Sequence, residues 1–315
     1  MPNPTSVYRR VSQVLPTLRE DRVLCDDLYT FGVLKKWTIA LFARRWGCSE
    51  ATATRALRRL HDLGLVACLQ GRGRAVTGAH HGGRTPDVYF LTPLGARAIS
   101  ALTARPSRVR EPRVARGAPQ HSPNGLWKYH RASAQSWGQI AHDLACVEFA
   151  LHQGAFAPDS GWRARRSFAF ADPQTGTTRH LVPDFALAYV HEVFAPGISA
   201  ISPQPVQTAC FVEIEGTDEI AHIQAKHVRY WALGDAHGAD PLLLVVFTFG
   251  PDQARLRRAV LRRHLAAYGA TGTRRYRFAY LDLATLLATP AGEPPWARAV
   301  FASHGDARRE AWLGR

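Results

Sequence analysis

Hydrophobic side chains between residues 21 and 104 recur mainly at helical spacing, and two short apolar runs are typical of strands. Ser49 is a good N-cap for one of these helices, and Gly64 ends it. The pattern predicts three helices, two strands and a closing helix, in the order Asp21–Leu34, Trp37–Trp46, Glu50–Leu63, Leu65–Leu69, Asp87–Thr92 and Pro93–Ala104.

The Glu50–Leu63 helix has two different faces. Its apolar face is predicted to be buried and consists of Ala53, Ala56, Leu57 and Leu60. Its other face carries side chains that hydrogen-bond phosphates and base edges, namely Thr52, Thr54, Arg55, Arg58 and Arg59. Between the two strands lies a loop rich in Gly, Arg and His, which adds Arg72, Arg74 and Arg84.

This order of elements resembles the winged helix-turn-helix family. The matching residues are Leu63-Gly-Leu-Val66 and Tyr89-Phe-Leu-Thr-Pro-Leu-Gly95, which flank the loop. The resemblance implies that the Glu50–Leu63 helix faces the major groove of duplex DNA and that the loop is a wing on the backbone or minor groove. The residues alone also fit a helical hairpin that dimerises and has a solvated basic face.

From about Ser133 onwards, apolar runs typical of strands alternate with helical patterns. Pro241–Phe249 is apolar almost throughout, as in a strand that is covered on both faces. The predicted order is helix, three strands, helix, strand, basic helix and strand, over 137–151, Trp162–Ala171, Leu181–Val190, Ala209–Glu215, 218–233, Pro241–Phe249, Asp252–Tyr268 and Tyr276–Leu283. This order indicates an α/β layer with a mixed sheet.

The charge of the chain indicates its partner. The 315 residues carry a formal net charge of +15, and basic residues cluster at 105–131 and 255–277. Such clusters favour phosphate contacts, so nucleic acid is the simplest partner, although charge alone also fits a membrane surface. The resemblance to the winged helix-turn-helix family implies that this nucleic acid is double-stranded DNA. We expect a cytoplasmic protein that does not enter a membrane, because no long apolar span and no signal peptide is evident. The five scattered cysteines favour neither a disulfide framework nor a zinc site.

These patterns predict four parts of the chain. Residues 1–104 are a DNA-binding domain, and 105–132, rich in Pro and Arg, are a basic flexible linker. Residues 133–290 are the α/β domain, and 291–315 are a C-terminal tail. The sequence leaves open whether the protein is a homodimer.

Three carboxylates are predicted to meet at the ends of neighbouring strands. Asp184 opens one apolar run, and Glu213 and Glu215 end the next, where residues two apart share a face. A buried unpaired carboxylate costs several kcal/mol, so acids in such strands indicate a site. Lys226, on the following helix, is a lysine in a chain whose basic residues are nearly all Arg.

This constellation resembles the PD-(D/E)xK nuclease superfamily. The wider set of motifs resembles the replication-relaxation family of plasmids and mobile elements, through His142-Asp-Leu-Ala145, Val182-Pro-Asp184, Glu213-Ile-Glu-Gly-Thr217, and Lys226 with Tyr230. The resemblance implies a two-domain α/β (α+β) fold, with an N-terminal winged helix-turn-helix and a C-terminal restriction-endonuclease-like mixed sheet flanked by helices.

Carried onto this chain, the resemblance makes Asp184 and Glu213 ligands of Mg²⁺ or Mn²⁺, with Glu148 as a further ligand. Position 215, where the superfamily has lysine, is Glu, so Lys226 would supply the cation from the helix. The implied activity is that of a metal-dependent DNA endonuclease whose catalytic residues are Asp184, Glu213, Glu215 and Lys226.

Two alternatives stay open. One is a non-catalytic regulator of transcription or replication, whose nuclease-like domain serves dimerisation or partner binding. The residues alone also fit acids on a solvated strand edge and a lysine on an exposed helix face.

Overall fold

The structure, a computed structural model, divides the chain into two compact units, Met1–Leu151 and His152–Arg315. None of the helices in the part of the chain that it describes has the length and apolar composition that a membrane crossing requires. The described residues are 11–17, 20, 24, 28–31, 34, 36–69, 87–103, 135–156, 160–172, 175–193, 204–216, 220–237, 241–248, 253, 255–259, 277–290, 293 and 295–303.

The first unit combines helices with a small antiparallel sheet. Residues 11–17 and 28–31 are helical. The elements that follow are β1 (Lys36–Trp37), α1 (Ile39–Trp46), α2 (Glu50–Asp62), β2 (Val66–Leu69), β3 (Val88–Leu91), α3 (Pro93–Thr103) and α4 (Gln135–His152). The three strands pair in the order β1-β3-β2.

The start of α1 differs from the predicted helix Trp37–Trp46. Trp37 is fully buried in β1, where it packs 5.7 Å from the ring of Phe31. Thr38 is the N-cap, because its hydroxyl accepts a hydrogen bond from the Leu41 N–H at 3.2 Å. Trp37 therefore belongs to a strand of the sheet and not to the helix. The helix begins at Ile39, directly after the capping residue Thr38.

Thr92 and Gly95 join the strands of this unit to α3. The Thr92 hydroxyl donates to the carbonyl of Gly64 at 2.6 Å and accepts from the Gly95 N–H at 3.0 Å. A Cβ at Gly95 would lie 2.2 Å from the carbonyl oxygen of Leu65, so only glycine fits this close approach. The Leu-Gly-Leu-Val motif (63–66) and the Thr-Pro-Leu-Gly motif (92–95) therefore contact each other directly.

A buried ion pair connects β1 to α4. The Lys36 ammonium contacts the Asp143 carboxylate, and both side chains are almost completely buried. Between them in sequence lie the residues of the predicted linker, 105–132, which are outside the described residues. In this division of the chain, α4 lies in the first unit up to Leu151.

The second unit is built on a six-stranded mixed sheet. Its elements are β4 (Arg163–Ala164), β5 (Phe168–Ala171), β6 (Thr178–Leu181), β7 (Phe185–Val193), β8 (Gln204–Glu215), α5 (Ile220–His237), β9 (Leu242–Phe247), β10 (Arg277–Asp282), α6 (Leu283–Leu287) and β11 (Val300–Ser303). The sheet order is β11-β10-β9-β8-β7-β4, in which β8, β9 and β10 run parallel and the outer pairings are antiparallel.

The predicted strand Trp162–Ala171 is two strands that belong to different sheets. Arg165 turns the chain between them, with a left-handed backbone (φ 50°), and β5 then pairs with β6 as a separate hairpin. The strand predicted from Leu181 begins at Phe185, because Leu181 ends β6. Within 291–315, predicted as a tail, β11 adds an antiparallel strand beside β10.

The core of the second unit lies between α5 and one face of the sheet. Ile223, Tyr230 and Leu233 are buried, as are the apolar strand residues Phe211, Val245 and Tyr280. Phe168 of the hairpin packs edge-on against Phe211, with ring centroids 5.0 Å apart. The face of α5 that carries Lys226 is therefore an inward face.

The Lys36–Asp143 ion pair generates a stability prediction. Lys36→Met should lower the free energy of unfolding by about 3–5 kcal/mol, because it leaves the Asp143 carboxylate buried without its cation. Replacing both residues, as in Lys36→Met with Asp143→Leu, should recover much of that loss. Urea unfolding of the full chain measures both.

Arg44→Met provides the matched control, since it removes a cation from an exposed position of the same unit and should change stability by less than about 0.5 kcal/mol. A Lys36→Met protein as stable as the Arg44→Met protein would contradict the structural role of the pair.

Candidate active site in the second unit

Asp184 and Glu213 face each other across two antiparallel strands. Phe185 pairs with Val212 in the β7–β8 register, so the next opposed positions are Asp184 and Glu213, whose side chains lie on the same face. The Asp184 Oδ2 atom accepts a hydrogen bond from the Ile214 N–H at 2.9 Å. The start of β7 and the end of β8 thus bring together two acids that are 29 positions apart in the sequence.

Glu213 and Glu215 are buried in the interior of the sheet. β8 lies between β7 and β9, and Glu213 and Glu215 are opposite Val245 and Phe247 of β9. Residues two apart share a face, so both glutamates point the same way. Their exposed fractions are only 5% and 2%, which excludes the solvated strand edge that the sequence left open.

Lys226 joins the two glutamates. Its ammonium donates to Glu213 Oε2 at 2.7 Å and also contacts Glu215 Oε1. One turn further along α5, the Tyr230 hydroxyl donates to Glu213 Oε1 at 2.6 Å. The side chain of Lys226 is about one-fifth exposed, so it is not an ordinary surface lysine.

The electrostatics of the cluster follow from its burial. Burial raises the pKa of Glu213, and the negative charge of Asp184 adds to that rise, whereas the hydrogen bonds and charge of Lys226 and the Tyr230 hydroxyl oppose it. Burial lowers the pKa of Lys226, but the charges of Glu213 and Glu215 and the hydrogen bonds to them together outweigh burial, so this pKa lies above its ordinary value. The pKa of Tyr230 is raised too, by burial and then by Glu213.

Two further arginines interact with these acids, Arg165 by direct contact and Arg257 through its charge. Arg165 places a guanidinium nitrogen 3.7 Å from Asp184 Oδ1. Burial lowers the pKa of Arg257, and the charge of Glu215 opposes that shift. Arg165 follows a two-residue strand in a run without hydrophobic periodicity, and Arg257 is one of many arginines in its segment, so neither had a distinguishing pattern.

The three carboxylates do not form a closed ligand cage. Within the described part of the chain, the oxygens of Asp184, Glu213 and Glu215 do not all lie within 4.8 Å of one another. Asp184 and Glu213 are the adjacent pair, and Glu215 is held against Lys226. A further predicted ligand, Glu148, is half-buried on α4 and belongs to the first unit.

The predicted DNA-binding residues that the structure describes lie on α2. Thr52, Arg55, Arg58 and Arg59 are exposed, and the Arg55 guanidinium donates to the Thr52 hydroxyl at 3.3 Å. Thr54 is half-buried, and its hydroxyl donates to the carbonyl of Glu50 at 2.7 Å. The predicted wing residues Arg72, Arg74 and Arg84 lie outside the described residues.

The bonds of Lys226 generate a pH-dependent prediction. Lys226→Met should lower the free energy of unfolding at neutral pH by about 3 kcal/mol or more, because two buried carboxylates lose their shared cation. Glu213 then has a still higher folded-state pKa, so folding favours its protonated form. The loss of unfolding free energy caused by Lys226→Met should therefore be small when the pH lies below the ordinary Glu pKa of about 4.3. It should grow as the pH rises above that value.

Tyr230→Phe is the matched control, since it removes one hydrogen bond to Glu213 and leaves the ammonium in place; its cost should be about 1–3 kcal/mol. Urea unfolding at several pH values distinguishes the two. A Lys226→Met penalty that does not depend on pH would contradict the assigned contacts.

Comparison with known proteins supplies the family. None of the curated proteins and none of the solved structures that were compared matches the chain. The model of the replication-relaxation family matches residues 27–241, more than half of the chain and a stretch that includes α2, Asp184, Glu213, Glu215 and Lys226. The chain belongs to the replication-relaxation family.

Proposed function

We propose that this protein binds duplex DNA through a winged helix and hydrolyses a phosphodiester with Mg²⁺ or Mn²⁺, in the replication or relaxation of a plasmid or mobile element. The observation that carries the proposal is the buried cluster of Asp184, Glu213 and Glu215 with Lys226 bonded to both glutamates. Apolar residues would fill the same positions at no cost in desolvation, so acids buried there favour a chemical use.

Asp184 and Glu213 fit a divalent metal ion. Mg²⁺ is typically held by one or two carboxylates together with waters and substrate phosphates, so a third protein ligand is not required. Burial and Asp184 both raise the pKa of Glu213, and a bound cation would favour its charged form. When bound, such a metal polarises the phosphate and makes a coordinated water more acidic.

Lys226 supplies the cation that the superfamily pattern places at position 215. Because its ammonium is bonded to Glu213 and Glu215 together, it keeps Glu215 as a partner if Glu213 turns towards a metal. Glu215 therefore holds the Lys226 ammonium in position. From there the ammonium can stabilise negative charge that develops on the phosphate oxygens.

The α2 helix is the proposed DNA reader. Arg55, Arg58 and Arg59 project from its exposed face, and its buried face is held by Ala53, Leu57 and Leu60. Arginine can bond two acceptors of one guanine edge in the major groove, which makes these side chains suited to base recognition.

A specific observation also favours the second candidate, a non-catalytic regulator. The three carboxylates do not converge as one ligand group in the described residues, and Lys226 already compensates the two glutamates. In this alternative the cluster fixes the packing of α5 on the sheet, and the second unit binds a partner or a second copy.

Plasmid cleavage separates the two candidates. Wild type with Mg²⁺ or Mn²⁺ should convert supercoiled plasmid to open-circular or linear DNA. Asp184→Asn should lower that rate at least about a hundredfold, because a metal ligand is lost, while DNA affinity stays close to that of wild type.

Asp172→Asn is the matched control, since Asp172 is a buried acid of the same unit that is paired with Arg179 at 2.5 Å and directly follows β5, in the separate β5–β6 hairpin. It should retain cleavage. Equal cleavage by wild type and Asp184→Asn, or no cleavage by wild type with either metal on several DNAs, would overturn the proposed hydrolysis and leave the regulator.

The recognition role of α2 has its own test. Arg55→Ala or Arg58→Ala should weaken DNA binding and cost about 1–3 kcal/mol of discrimination at one base position. Arg44→Ala, at an exposed position of α1, should leave sequence preference unchanged. Binding of a randomised duplex library, followed by sequencing of the bound fraction, measures the preference. Identical preferences in all variants would exclude α2 as the reader.

A further inference from the structure

We infer that Arg165 is a phosphate-binding residue of the acidic cluster: without DNA its guanidinium is paired with Asp184, and a backbone phosphate of bound DNA takes the place of Asp184 as its partner. The inference rests on the proposed function for the identity of the ligand, a phosphodiester. It adds to the site a cation that neither the sequence motifs nor the family match assigns.

The backbone of Arg165 is held in a conformation that directs its side chain to Asp184. It is the non-glycine residue with a positive φ, 50°, in the described part of the chain. Its N–H donates to the Asp184 carbonyl at 2.9 Å, and its guanidinium lies beside the carboxylate of the same residue. A left-handed arginine costs roughly 1–3 kcal/mol and persists only where the surroundings hold it, as strained residues at functional sites do.

The contact between Arg165 and Asp184 is suited to exchange. The nitrogen–oxygen distance of 3.7 Å is an ion-pair contact and longer than a hydrogen bond. The Arg165 side chain is 28% exposed, whereas that of Asp184 is 10% exposed and has its other oxygen on the Ile214 N–H. An anion can therefore reach the guanidinium from the solvent side without displacing the hydrogen bond that fixes Asp184.

A phosphate is the anion that this surface favours. Residues 164–181 carry three arginines and one acid, and that acid, Asp172, is buried against Arg179. Arg179 is exposed, and Arg166 lies over the ring of Phe168. An acidic cluster repels DNA, so a basic surface beside Asp184 offsets that repulsion, and a guanidinium can bond two phosphate oxygens at once.

The same exchange links the arginine to the metal. If Asp184 turns its Oδ1 atom to a divalent cation, as the proposed function requires, that atom is no longer available to Arg165. The guanidinium then has the phosphate as its partner, so metal and DNA would each favour the binding of the other.

The salt dependence of DNA binding tests the inference on the full chain. Affinity for a fluorescently labelled duplex is measured between about 50 and 200 mM salt, with Ca²⁺ in place of Mg²⁺ so that binding is followed without turnover. Arg165→Asn removes the guanidinium and keeps a residue that tolerates positive φ. For this variant, the slope of log affinity against log salt concentration should be smaller in magnitude by about 0.9, because one phosphate contact is lost. Its affinity should be about tenfold lower than that of wild type near 0.1 M salt.

Arg163→Asn is the matched control, because Arg163 lies on β4 beside the same surface but bonds the carbonyl of Trp162. It should retain the wild-type slope. Equal slopes for wild type and Arg165→Asn would overturn the inference, and so would equal losses in the two variants, which would indicate a diffuse basic surface. Urea unfolding of Arg165→Asn confirms that it is folded, since removing the strained arginine should not lower stability by more than about 1 kcal/mol.

The outcome is separable from that of the proposed hydrolysis. A wild-type protein that cuts plasmid, combined with an unchanged slope in Arg165→Asn, removes the role of Arg165 and keeps the hydrolysis. A reduced slope in Arg165→Asn, combined with no cleavage by wild type, keeps the phosphate contact and removes the hydrolysis.

Discussion

The second unit depends on the bonds that one ammonium makes with two buried carboxylates. β8 carries Glu213 and Glu215 into the interior of a mixed sheet, where either charge alone would be strongly disfavoured. Lys226 reaches them from α5, and Tyr230 adds a hydrogen bond to Glu213. The position and rotation of α5 on the sheet are thereby fixed by polar contacts as well as by Ile223 and Leu233.

The cluster brings three buried acids together with basic side chains. Asp184 pairs with Arg165, Glu213 and Glu215 share Lys226, and the charge of Arg257 acts on Glu215. The raised pKa of Glu213 is the electrostatic consequence of burial and of Asp184. A divalent metal ion beside Asp184 and Glu213 would favour the charged form of Glu213, which links the packing of the second unit to its proposed chemistry.

Much of this arrangement could be predicted from the sequence, because the relevant patterns are short in range. The two-residue spacing of Glu213 and Glu215 fixes their common face, and Lys226 and Tyr230 are one turn apart on α5. Contacts between residues that are far apart in the sequence could not be predicted, because they depend on how the chain turns between its strands. Arg165 meets Asp184 only because the chain turns after β4, and Lys36 meets Asp143 across more than a hundred residues.

Lysine is rare in this chain, and lysines at two positions bond buried carboxylates. The rarity added support for Lys226, and Lys36 makes the same kind of contact with Asp143. A compact ammonium fits such an enclosed site better than a planar guanidinium, which explains why these two positions depart from the Arg-rich composition.

Metal-dependent stability tests most directly the proposal that the buried acids bind a divalent metal ion. The free energy of unfolding of the full chain is measured as Mn²⁺ is raised, for wild type, Asp184→Asn and Asp172→Asn. If Asp184 is a metal ligand, wild type and Asp172→Asn should gain about 2–3 kcal/mol of unfolding free energy when the Mn²⁺ concentration is roughly a hundred times the Kd. Asp184→Asn should gain little or nothing. The same gain in Asp184→Asn as in wild type, or no gain in any of the three, would contradict this proposal.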